Sequence, residues 1–248
     1  MKKYTLTLIL ALASLGLYAQ TNRNKTIINA ALHGWEYEIK AGVNLGGTAP
    51  LPFPEEIRSI DGYNPTLSIT IEGNMTKWLD TKKKWGIITG LRLENKGMRT
   101  KATVKNYNME IIGYDGNRLK GNWTGGVRTK VQNSYITIPV LAAYKLSPRT
   151  TLKLGPYFSY LMDGDFSGHV YEGYLRETNP TGDKINFTNG AIATYDFSGD
   201  LRKFQWGVQA GVDWKAFKHL KVHADLNWGL NDIFNKDFKT VTFDMYAI

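Results

Sequence analysis

Between residues 203 and 217 the chain alternates without a break. Phe204, Trp206, Val208, Ala210, Val212, Trp214 and Ala216 fall on one phase, and Lys203, Gln205, Gly207, Gln209, Gly211, Asp213 and Lys215 on the other. Successive side chains of a strand point to opposite faces, so this period of two defines a strand with one apolar and one polar face and excludes a helix with a clean apolar stripe. The pattern recurs over residues 220–231 and 35–46, and in weaker form over 67–76, 85–94, 136–146, 152–162 and 240–248, which makes eight candidate strands. Nearly all reach the length of about 9–11 residues that a tilted strand needs to cross a bilayer, whereas strands of soluble sheets average about 5–6.

The connections also alternate. Segments 47–65, 95–134 and 163–202 are long, and 79–84, 147–150 and 217–219 are short. Short turns at one end and long loops at the other are the pattern of an outer-membrane barrel, and with both termini periplasmic the long loops face outside. The start of the chain agrees with this. Lys2 and Lys3 precede an apolar stretch over 6–17, and Leu17-Tyr18-Ala19 precedes Gln20, the order of a secretory signal cleaved after Ala19. Tyr4, Thr5, Thr7 and Ser14 thin that stretch below the about 20 apolar residues of a membrane-spanning helix. The expected organisation is therefore a signal peptide over 1–19, a periplasmic segment over 20–34 and a single barrel domain over 35–248. Loss of Lys2 and Lys3 leaves 29 basic against 22 acidic residues, a mature charge of +7. No other stretch is apolar enough for a spanning helix, so a closed barrel is the remaining way to pair every backbone group in lipid. The absence of cysteine excludes disulfide, thiolate-metal and thiol-nucleophile chemistry.

Alternation alone does not say which face points outward, and a soluble ligand-binding barrel with an apolar interior is the competing reading. The polar phase carries Gly42, Gly46, Gly86, Gly90, Gly155, Gly207, Gly211 and Gly229. Glycine weakens an exposed strand but suits a crowded lumen. Trp35, Trp85, Trp206, Trp214 and Trp228 lie on the apolar phase, most toward strand ends, where rings suit the two membrane interfaces. An outward apolar phase turns Glu36, Glu38, Lys40, Glu72, Arg92, Glu94, Lys153, Asp213, Lys221, His223, Asp225 and Asp244 into the lumen. Eight strands enclose a space that side chains nearly fill, and confined charges must pair, so the expected barrel is plugged.

Several segments resemble the PorT-like outer-membrane β-barrel family: Tyr135-Ile136-Thr137-Ile138-Pro139-Val140-Leu141 with Tyr144-Lys145, then Leu154-Gly155-Pro156-Tyr157-Phe158-Ser159-Tyr160-Leu161. Gly90-Leu91-Arg92-Leu93 before Lys96-Gly97 fits the same pattern, as do the 204–214 strand and Asn227-Trp228-Gly229-Leu230-Asn231-Asp232-Ile233. The resemblance implies a barrel fold and no particular reaction. The family's namesake is associated with secretion across the outer membrane, but no motif here carries that role. Pro139 and Pro156 lack a backbone donor, so each calls for a bulge, an edge or a strand end. Outer-membrane barrels usually end on an aromatic residue, whereas this sequence closes on Asp244-Met245-Tyr246-Ala247-Ile248.

No catalytic constellation emerges. His33, His169, His219 and His223 are scattered, and on a strand His219 and His223 stand roughly 13 Å apart, too far for one zinc ion. There is no Gly-x-Ser-x-Gly elbow, and the acid pairs Glu36 with Glu38 and Asp163 with Asp165 suit polar lumens and loop rims. Neither an enzyme nor a cofactor is expected. Lys96, Arg99, Lys101, Lys105, Arg118, Lys120, Arg128 and Lys130 make a basic stretch that is a solvated surface on the plain reading and a contact for acidic groups of lipopolysaccharide on the functional one. The leading expectation is a non-enzymatic barrel acting through its long loops on a surface or secretion partner, with Tyr107, Tyr114, Trp123, Tyr171 and Tyr174 as contact residues. The expected partners are outer-membrane lipids, lipopolysaccharide and the barrel assembly machinery, with no nucleic acid. The alternative is a small solute channel.

Overall fold

The computed structural model describes residues 34–51, 53–80, 82–113, 116–235 and 244–247, and the fold is that of the unit Glu36–Ile248. The signal sequence, most of the 20–34 segment and Tyr114 lie outside the described residues.

Eleven strands are described: β1 (Trp35–Asn44), β2 (Thr48–Leu51), β3 (Ile57–Pro65), β4 (Ser68–Trp78), β5 (Trp85–Ile112), β6 (Arg118–Lys145), β7 (Thr150–Glu177), β8 (Lys184–Asp196), β9 (Phe204–Lys215), β10 (Lys221–Gly229) and β11 (Asp244–Ala247). The main sheet runs β1-β4-β5-β6-β7-β9-β10, with β3 added to β5, and β8 paired with β7 and, at one position, with β5. The described pairings are antiparallel. β11 pairs with β2 in a separate two-stranded ladder that sets Ala247 opposite Thr48. Each of the eight candidate segments contains a strand, and the extra three, β2, β3 and β8, fall in segments expected to be loops.

That is the largest departure from the sequence reading. Segments 95–134 and 163–202 are built largely from strands, because β5, β6 and β7 each continue unbroken for 28 residues. At about 3.3 Å per residue such a strand runs roughly 90 Å, far beyond what a bilayer requires. The physical reason lies in the outward face. On β5 it carries Ile87, Leu91 and Leu93, then Asn95, Arg99, Lys101 and Thr103. On β6 it carries Tyr144, Val140, Ile138 and Ile136, then Ser134, Gln132, Lys130 and Arg128. The inward face changes in the opposite sense, from Arg92 and Glu94 to Met98 and Val104. Polarity therefore inverts on both faces at one level while the strands continue, as required where the surrounding medium changes from lipid to water. A bulge sits there, with Ser134 opposite Asp163 but Tyr135 opposite Leu161.

The prolines behave differently from expectation. The β5–β6 ladder passes from Thr89↔Val140 to Arg92↔Thr137, and the β6–β7 ladder from Pro139↔Tyr157 to Ala142↔Leu154, in unchanged register. Pro139 and Pro156 thus lie beside local gaps in the pairing, with no bulge or strand end. Two glycines lie close under inward side chains: a Cβ on Gly42 would stand 3.2 Å from His223 Nε2, and one on Gly211 would displace the Asp225 carboxylate.

Beyond the inversion level, Met98, Met109, Trp123, Val127, Phe166, Val170, Phe197 and Phe234 belong to one apolar core inside the extension. At the opposite end of the sheet Trp78, Ile88, Leu141 and Ala143 form a small inward cluster.

Candidate functional site

Outward exposure settles which face is which. Trp206, Trp214 and Trp228 are 42%, 49% and 43% exposed, while Gln205, Gln209 and Asp213 between them are buried. Trp85, Tyr144 and Trp214 lie near the turn end of the sheet, and Tyr160, Phe204, Trp206 and Trp228 near the inversion level, with Phe158 stacked on Phe204. Two aromatic rows thus flank an exposed apolar band, with amphipathic rings where interfaces would lie. Trp78 is the exception: it faces inward, donates from Nε1 to Glu36 Oε2 at 3.0 Å and lies under the Lys145 ammonium.

Charge fills the inward face at the level of this band. The Lys153 ammonium, its side chain wholly buried, lies 2.7 Å from Asp213 and 2.8 Å from Asp225, and Lys40 reaches Asp213 at 3.4 Å. Arg92 is bound to Glu72 through Nε and donates from Nη2 to Gln209 Oε1 at 2.6 Å. Glu94 lies 3.7 Å from Arg92 and accepts from Thr137 Oγ1 at 2.8 Å, and Thr137 in turn meets Ser159. Asn74 donates to Glu72. Lys221 binds Glu36 and Glu38 at 3.0 and 2.8 Å, which joins the inward side chains of β1 and β10, the two ends of the sheet path. His223 covers Gly42 and, among the described residues, makes no ion pair. Asp244 lies in β11 opposite Leu51. Sequence reasoning missed Gln209, Thr137 and Ser159, because uncharged polar residues on the inward phase carry no distinguishing signal.

Lys96, counted with the basic stretch, belongs to this interior. Its ammonium stands 3.9 Å from Glu94 and over the rings of Tyr135 and Tyr157. Arg118 pairs with Glu110 at 2.7 Å. The rest of the stretch divides by strand face. On the outer face of the extension Lys101 lies directly opposite Arg128, which lies opposite His169, and Arg99 lies opposite Lys130. Lys130 binds Asp165 at 2.6 Å. Burial works against the Asp165 carboxylate, but the Lys130 and Ser167 hydrogen bonds outweigh it and hold its pKa below the ordinary range. Desolvation and the Arg128 charge both depress the His169 pKa.

Of the expected contact residues, Tyr171 lies on this outer face, with Lys101 and Arg128 over its ring at 5.6 and 5.2 Å. Tyr174 is flanked by Arg176 and Lys184. Tyr107 packs against the apolar core. Trp123 contradicts expectation: it is fully buried, edge-on to Phe187, and unavailable to a partner. The composition of segment 95–134 placed it in a loop, whereas its strand points it inward. Among the described residues no group of three or more His, Cys, Asp or Glu is arranged to hold a metal ion.

Residues 18–235 match the family model described as outer membrane protein beta-barrel domain, and the chain belongs to that family. No curated protein and no solved structure matches it.

Proposed function

We propose that this is a non-enzymatic, exported outer-membrane barrel of eight strands and the PorT-like type, closed to solutes and acting through the sheet that stands outside the membrane. In this reading β1 with β2, β3 with β4, and β8 with β9 are each one wall strand. β11, which pairs with β2 and places Ala247 beside Gly229 of β10, is the eighth. The observation that carries the reading is the inversion of polarity along β5 and β6, since a sheet with lipid-suited sides at one level and water-suited sides at the next has both a membrane part and an external part. The buried, mutually bound charges of Lys153, Asp213, Asp225, Arg92 and Glu72 lie across the inward face, which disfavours the channel alternative. Insertion would rely on the barrel assembly machinery, and a surface or secretion partner would meet the extension.

The outer face supports lipopolysaccharide as one contact. Like charges directly opposite on neighbouring strands are destabilising, so the Lys101 and Arg128 pairing favours a bound anion between them. Both residues stand eight positions beyond the last outward apolar residue of their own strand, Leu93 on β5 and Ile136 on β6, on the level of the saccharide phosphates of a lipopolysaccharide core. Replacing Lys101 and Arg128 together with glutamine is expected to lower lipopolysaccharide retention by purified protein about tenfold at low salt, and less at high salt as screening removes the advantage. Retention equal to that of the parent protein would remove this face from the proposal.

A further inference from the structure

The opposite, inner face of the extension encloses a cavity of about 350 Å³. Met98, Val104, Met109, Val127, Phe166 and Phe197 are among its walls, and no charged side chain lines it among the described residues. Its volume lies within the about 300–1,000 Å³ of small-molecule sites and is more than twice that of an engineered apolar cavity of about 150 Å³ that stays dry and takes up benzene. Phe53, Ile60 and Tyr63 also line it, each more than half exposed, so its mouth is apolar.

Polar groups in the lining are few and differ in state. The Tyr195 hydroxyl is satisfied, donating to the Arg128 carbonyl at 3.0 Å and sharing a 2.7 Å hydrogen bond with Thr129 Oγ1. Thr48 is not. Its Oγ1 is buried without a hydrogen-bond partner among the described residues, and its backbone N–H donates to the thioether of Met98 at 3.4 Å, a weak acceptor. A buried hydroxyl left in this state is costly, and a ligand oxygen placed there would relieve it. A carboxylate would satisfy the same donors but would bring a charge that no cation lining the cavity balances among the described residues.

From these features we propose that the extension binds an uncharged amphiphile: one aliphatic chain in the cavity, with a terminal hydroxyl or carbonyl oxygen at Thr48. This site is independent of the cationic outer face and survives if lipopolysaccharide contact fails. The test uses the whole protein in lipid nanodiscs, with empty nanodiscs as reference, and measures retention of radiolabelled 1-dodecanol and dodecanoate. Dodecanol is expected to be retained above the lipid background, and dodecanoate at least about tenfold more weakly. Thr48→Val should weaken dodecanol about tenfold by removing the oxygen's partner, and Ala102→Trp, which fills the cavity, should abolish retention. Native folding of both variants is checked by electrophoretic mobility before and after heating. Retention no greater than that of empty nanodiscs, or equal retention by the parent and Thr48→Val, overturns the proposal. Tighter dodecanoate than dodecanol overturns the assignment of an uncharged head.

Discussion

Asp213→Ala is expected to destabilise the membrane part of the protein by about 3–5 kcal/mol, the cost of removing one partner from a buried ion pair. Asp213 lies between two buried ammonium groups, 2.7 Å from Lys153 and 3.4 Å from Lys40. Without it, two cations share Asp225, which is ion-paired with Lys153 at 2.8 Å. The loss comes from uncompensated charge on almost wholly buried side chains, and does not mean that the intact network is worth that much. A buried network replaced as a whole by apolar groups is often neutral. Adding Lys40→Met to Asp213→Ala should therefore recover most of the stability, because one cation again faces one anion. Urea unfolding in lipid vesicles, followed by tryptophan emission and by electrophoretic mobility, measures both variants. A single variant within about 1 kcal/mol of the parent would mean that water reaches these charges, and the closed lumen would fail.

Trp123→Ala is expected to cost about 3–5 kcal/mol in the extension, as large-to-small changes at fully buried aromatics do. The ring is 0% exposed and packs edge-on against Phe187 in the same core as Phe166 and Val170. The loss should be local, because Trp123 lies beyond the inversion level and its core meets the ionic interior at Tyr135, under the Lys96 ammonium. Hydrogen exchange should accelerate in β6, β7 and β8 beyond residue 134 on β6 and 163 on β7, with β9 and β10 unchanged. Unchanged exchange in the extension would return Trp123 to the surface role that the sequence suggested.

How far the sequence could be read depends on the contrast between the two media. The strand over 203–217 was legible because its apolar phase meets lipid and its polar phase meets other side chains, so every second residue declares its side. The same holds for 35–46 and 220–231. The extension escaped notice for the complementary reason. Met98, Thr100, Ala102 and Val104 alternate with Arg99, Lys101, Thr103 and Lys105 as regularly as any membrane segment, but in the opposite sense and with small or hydroxylated residues inside. Judged by charge density, that segment reads as a solvated loop. Judged by period alone, it is the same strand continuing into water. The pairing within the lumen was harder still. Acids and bases on one phase announce that partners exist, but Lys153 meets both Asp213 and Asp225 across three strands, a match set by register and strand stagger that no local pattern encodes. The gaps beside Pro139 and Pro156 belong to the same class, since a missing donor does not say whether the ladder bulges or opens.

If the apolar phase faces lipid while charge fills the interior, the indole rings of Trp206, Trp214 and Trp228 report it directly. Single-tryptophan proteins retaining one of these three, each reconstituted in vesicles of lipids brominated along the acyl chain, should show strong fluorescence quenching. A protein retaining only the inward, buried Trp78, at the level of the apolar band, should be quenched little. Strong quenching of Trp78 with weak quenching of the other three would restore a barrel with its apolar face inside.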